Sequence, residues 1–174
     1  MTPTRLLVGA LTVLSALLIA PTLVARLPLP GSPPDVVLLV VVAFALAEGP
    51  VSGAVTGFVA GTLADLLSDH AVGRLALAYV LVGHLVGAAA GGDDRSPLRP
   101  FAAVALGAAG SLVVYAAEGV LLDDPRVSWA ALGTGLVSAV PYAVALAPFV
   151  VPVVALLVRG AQPARLAADG RWRA

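Results

Sequence analysis

The sequence predicts an all-α protein embedded in a lipid bilayer, a single-domain bundle of about six transmembrane helices. Three observations carry this. The 174 residues are 60% hydrophobic and only 11% charged, where soluble domains carry roughly 25% charged residues. Apolar runs of helical length follow one another, separated by short polar or proline-rich breaks. Within those runs glycines recur at steps of four, the spacing of helix faces that pack closely in lipid. No cysteine is present, so the chain has no disulfide framework and no thiolate metal site. Net charge is zero and the pI is near 6.7, which points away from a nucleic-acid partner. All ten basic residues are arginine.

Each element follows in order. Leu6–Ala25 is apolar throughout and makes a helix about 30 Å long, matching the hydrocarbon core. The run is longer than a signal-peptide core and no small-x-small cleavage site follows, so a retained helix is expected, with Pro21 in its last turns. Arg26–Asp35 holds four prolines and a glycine and is a loop. Val36–Ala47 is purely apolar, but twelve residues reach only about 18 Å. Glu48-Gly49-Pro50 breaks it, and Pro50–Leu67 continues as a second helix. A single helix over Val36–Leu67 would be about 48 Å long, so a hairpin is expected, its first arm short or partly re-entrant. Ser68–Arg74 is a polar turn in which Ser68 or Asp69 caps the next helix. Leu75–Gly92, Phe101–Leu122 and Trp129–Val158 complete the set. The last of these is expected as one helix kinked by Pro141, Pro148 and Pro152, and Arg159–Ala174 as a polar tail. Seven arginines (Arg5, Arg95, Arg99, Arg159, Arg165, Arg171, Arg173) fall on the side holding both termini, against Arg26, Arg74 and Arg126 on the other. That bias puts the C-terminus in the cytoplasm, and the count is the same whether Val36–Leu67 crosses once or twice.

The densest signal runs from Glu48 to Gly73. Gly49, Gly53, Gly57 and Gly61 stand four apart, and Asp65, Asp69 and Gly73 take the following steps. Positions four apart lie one above another on a helix. The glycines therefore form a bare groove ending in the Asp65 carboxylate, flanked by Phe58 and other apolar residues. Such a groove seats another backbone, either a partner's helix or a neighbour from the same chain. Asp65 shares that face, and Arg74 lies across the short turn from it. Gly83, Gly87 and Gly91 make a second ladder, and Ala103, Gly107 and Ser111 a third.

Reactive chemistry is sparse. Gly61-x3-Asp65-x3-Asp69 resembles the end of the CDP-alcohol phosphotransferase motif. The paired carboxylates and Ala-Arg that those enzymes carry upstream are missing, Val51-Ser52 standing where Ala-Arg would fall. Two aspartates alone hold Mg²⁺ poorly. His84, inside the fourth helix, is expected as a helix-to-helix hydrogen-bond donor, and His70 lies too far from it to share a metal. Glu118 is expected to reach the interface near Asp123-Asp124. No serine elbow, P-loop or dinucleotide fingerprint is present. No enzyme activity, cofactor or metal is expected.

The order of elements from Pro34-Asp35 onward carries a family resemblance. A short Leu/Val run, a polar break with glycine, the Gly57-Phe58-x-x-Gly61 core with Asp65 four residues on, a turn with Gly73, and an apolar helix from Leu75 resemble the rod shape-determining protein MreD family over residues 34–87. The resemblance implies a non-catalytic scaffold of bacterial cell elongation and peptidoglycan synthesis. It implies binding of MreC and, through it, a penicillin-binding transpeptidase, the glycan polymerase RodA and the actin-like MreB. It also implies a fold similar to the six-helix membrane subunit of energy-coupling-factor vitamin transporters. That similarity supplies the alternative, a small-molecule-binding transporter subunit, which the scarcity of polar and aromatic intramembrane residues disfavours.

Overall fold

A computed structural model describes residues 3–22, 26, 28–68, 72–91, 96–124 and 127–161. Six α-helices are present among them: α1 (Pro3–Thr22), α2 (Val36–Glu48), α3 (Pro50–Leu66), α4 (Arg74–Ala89), α5 (Arg99–Leu121) and α6 (Trp129–Gly160). Local chemistry sets their ends. The Asp35 carboxylate accepts the Leu38 N–H at 3.0 Å and caps α2, as a short polar side chain does at an N-cap. Gly49 has φ +90° and Gly73 φ +106°, conformations that only glycine adopts cheaply, and they set off α2 from α3 and open α4. Pro50 is the first residue of α3, where its missing N–H costs nothing. Ser128 accepts the Ala131 N–H at 3.1 Å and opens α6. Despite three internal prolines, α6 is continuous for 32 residues.

α2 is the axis of the molecule. Every residue from Val36 to Ala45 is buried, and α2 touches each of the other five helices. Those five form a ring around it in the order α1, α3, α4, α5, α6, with α6 closing back on α1. A helix apolar on all sides is stable only when every side is covered, and the ring supplies that cover. The expected short or re-entrant arm is thus a central helix sheathed by protein.

Helix directions alternate. Arg5 at the start of α1 pairs with Glu48 at the end of α2. Tyr79 of α4 donates its hydroxyl proton to Asp35 at the start of α2. Gly53 of α3 faces Gly83 of α4, and Gly61 faces Ala76, so α3 and α4 are antiparallel. Arg99 opening α5 donates to the carbonyls of Ala89 and Ala90 at the end of α4. Arg74 opening α4 donates to Asp124 beyond α5. Ser32 donates its N–H to the Ser138 hydroxyl of α6 at 2.8 Å. The expected hairpin is present, and α1 begins at the same end of the bundle where α6 finishes.

All six expected helices are present. Among the described residues α1, α5 and α6 are long and apolar enough to cross a bilayer unaided, while α2, α3 and α4 have 13, 17 and 16 residues. One boundary needs correction: α4 stops at Ala89, so Gly91 lies past the helix and its ladder reduces to Gly83 and Gly87. Leu23–Ala25, Asp69, His70, Arg95, Arg126 and the tail from Gln162 lie outside the described residues.

Candidate functional site

The glycine groove of α3 is filled by α4 of the same chain. A Cβ on Gly53 would fall on the Gly83 carbonyl, and one on Gly57 on the Tyr79 carbonyl. A Cβ on Gly61 would lie 2.5 Å from the Ala76 Cα. The fit is reciprocal: a Cβ on Gly83 would fall on the Gly53 carbonyl, and one on Gly87 would lie 2.5 Å from the Pro50 Cα. Backbone therefore rests on backbone along the seam, an approach available only where side chains are missing. Gly49 and Gly73 differ from the other ladder glycines. No atom of the surroundings lies within 4 Å of a Cβ at either position, so their part is the left-handed backbone at the helix ends. Phe58 points away from the seam and is 59% exposed.

Asp65 ends the groove as the notch into which α4 begins. It is 1% exposed. Its carboxylate accepts the N–H groups of Gly73 at 2.8 Å, Leu75 at 3.1 Å and Ala76 at 3.2 Å. These are the donors that the first turn of a helix leaves without partners, and the helix dipole there favours a negative group. The N-cap residue of α4, Gly73, brings no side chain, so the cap comes from the preceding helix. Ser68, an expected cap, instead donates its hydroxyl proton to the Asp65 carbonyl at 3.0 Å.

Arg74, expected across the turn from Asp65, points elsewhere. It is 5% exposed. It donates to Asp124 at 2.5 Å and to the Tyr115 carbonyl at 3.2 Å. Its guanidinium lies over the Tyr115 ring, 4.0 Å from the centroid, a cation–π geometry. Glu118 stands 3.9 Å away. Glu118 turns inward: both its oxygens are buried, and neither they nor Arg74 Nε has a hydrogen-bond partner among the described residues. This network joins α4 to α5. By position Arg74 reads as a loop charge, and nothing in its local sequence marks a partner fifty residues on.

A similar pair closes the other end, where Arg5 meets Glu48, which also accepts the Ser52 hydroxyl proton at 2.5 Å. His84 makes no helix-to-helix hydrogen bond. It is exposed on the outer face of α4, and no hydrogen bond or ion pair reaches it among the described residues. A cavity of about 100 Å³ lies between α2, α5 and α6, bordered by Asp35, Ser32 and Ser111 in mainly aliphatic walls. Among the described residues no three His, Cys, Asp or Glu side chains are grouped to hold a metal ion.

The fold and its polar anchors define a helical membrane protein whose features are those of packing. The family model described as rod shape-determining protein MreD matches residues 2–91. The chain belongs to that family, and with it to the proteins of rod shape determination. No curated protein and no solved structure matches it.

Proposed function

We propose that the protein is a non-catalytic scaffold of the bacterial cell-elongation and peptidoglycan-synthesis machinery in the cell inner membrane. In this reading it binds the single-pass protein MreC and, through it, a penicillin-binding transpeptidase, RodA and MreB. The observation that carries the reading is the family match over residues 2–91. That stretch includes α3 and α4, whose glycine faces are closed on each other. A rigid bundle suits a scaffold because its outer faces keep fixed positions for other helices to read.

Gly53, Gly57, Gly61 and Asp65 act in this reading by fixing α4 against α3, with Gly49, Gly73 and Phe58 framing the same unit. Their effect on a partner is then indirect, through the shape of the bundle. Both termini lie on the cytoplasmic side, where Arg5, Arg99 and Arg159 gather. The transporter alternative draws less support, since the larger grooves, about 410 and 420 Å³, are lined mainly by apolar side chains, whereas small-molecule sites add specifically placed polar groups to such walls.

The test is binding of purified MreC to the full-length protein in lipid nanodiscs, read by fluorescence energy transfer. Saturable binding is expected, and none would refute the scaffold reading. The chain has no cysteine, so single cysteines placed beside Arg5 and Arg159 report orientation. Labelling of either from outside intact cells would overturn the topology.

A further inference from the structure

His84 is an imidazole on the wrong side of its helix. On α4, Gly83 and Gly87 face α3, and Val82 is buried. Leu77, Leu81, His84, Leu85 and Ala88 form a separate stripe at i, i+4, i+7, i+8 and i+11. Leu77 is 49% exposed, Leu81 39% and Leu85 65%, and His84 and Ala88 are exposed as well. This spacing keeps them on one face over three turns. His84 is about 8 Å along the helix from Ala89 and about 15 Å from Arg74. It therefore sits inside the apolar length of α4 and not at its edge.

A polar group on a lipid-facing surface is costly unless it finds a hydrogen-bond partner. Histidine lacks the methylene stem that lets lysine and arginine reach the headgroups. The helical hydroxyls of Thr12, Ser15, Thr134 and Ser138 avoid the cost by donating to the carbonyl four residues back. The imidazole makes no such bond, and no partner for it stands among the described residues. An unmet hydrogen-bonding group in the middle of an apolar stripe is complementary to one kind of surface: an apolar helix with a single polar side chain at matching depth.

We infer that the Leu77–Ala88 stripe of α4 is the docking face for one transmembrane helix of a partner, with His84 hydrogen-bonded to a carboxylate, amide or hydroxyl on that helix. This rests on the scaffold reading and names the surface through which it works. The glycine seam on the neighbouring face of α4 holds the stripe in place.

The experiment measures the affinity of MreC for the full-length protein in nanodiscs, for wild type, His84→Leu, His84→Asn and Val137→Ala. Val137 is an exposed residue of α6, away from the stripe. Wild-type binding is expected to weaken about tenfold in His84→Leu, the scale of one interhelical hydrogen bond in lipid. His84→Asn, which keeps a donor and an acceptor, is expected within about threefold of wild type on the same scale, and Val137→Ala to be unchanged. A photo-crosslinker at Leu81 should join to MreC in cells and one at Val137 should not. If wild type binds and His84→Leu binds equally, the docking face is wrong while the scaffold reading stands. If wild type does not bind, the scaffold reading fails first. If His84→Leu instead dissolves a self-association of this chain and leaves MreC binding intact, the stripe serves a second copy and the inference is overturned.

Discussion

Along the α3–α4 seam, a methyl group added at Gly53, Gly57, Gly61, Gly83 or Gly87 would fall on backbone. In the arm made of α5 and α6, one added at Gly107, Gly110 or Gly135 would meet only side chains: Val42, Val82 and Leu112 respectively. The same residue type thus has two meanings in one chain. On the seam it sets the distance between two helix axes. In the other arm it leaves room that a rotamer change can take up. A groove of about 420 Å³ opens between α5 and α6. The family match covers residues 2–91, which include the seam, and stops before α5.

The largest expected effect tests the seam itself. Gly57→Leu forces α3 off α4 and is expected to cost more than about 4 kcal/mol, the scale of an overfilled core contact at an unyielding site. The readout is loss of the folded, monodisperse species in detergent, and a wild-type melting curve would show that the two backbones are not in contact. Next is the joint between the two arms. Arg74→Leu leaves the buried Glu118 carboxylate without its neighbouring cation and takes one partner from Asp124, and is expected to cost about 3 kcal/mol. Replacing all three by leucine should recover much of that loss, because buried ion pairs are expensive to desolvate. Thermal unfolding of the single and triple variants decides it.

Asp65→Ala leaves three N–H groups of α4 without an acceptor and should cost about 2–3 kcal/mol, with Asp65→Asn costing less. Faster amide exchange at Gly73, Leu75 and Ala76 than elsewhere in α4 is the accompanying sign. The smallest contrast is the sharpest one. Gly53→Ala should destabilise by about 1–3 kcal/mol. Gly110→Ala, whose new methyl would sit 3.8 Å from Val82, should be neutral or stabilise by up to about 1 kcal/mol through helix propensity. Equal effects would erase the distinction between seam and arm.

Much of this was legible in the residues. Helix positions followed from apolar run length and from punctuation by Gly49-Pro50, Gly73 and Ser128, and the observed ends differ by a few residues. The glycine ladder announced a close helix contact, and the break at Gly49 announced a hairpin. The identity of the neighbour was not legible, because a row of glycines specifies a distance and not the sequence that comes to it. Nor was the outward orientation of His84. Its face depends on which sides of α4 are taken by α2, α3 and α5.

By itself, the sequence determined that the chain lives in lipid, in which stretches its helices lie, and that one helix carries a face stripped of side chains. Those properties depend on composition and on near-neighbour spacing, which a linear string holds completely. Only the tertiary structure decided that α2 is the axis, that Asp65 caps α4 and that Arg74 reaches across to Asp124. Each of these joins residues that chain order leaves apart: Asp65 meets α4 across a turn, and Arg74 lies fifty positions from Asp124. Such pairings are selected by which buried polar groups remain to be satisfied once the apolar faces have closed.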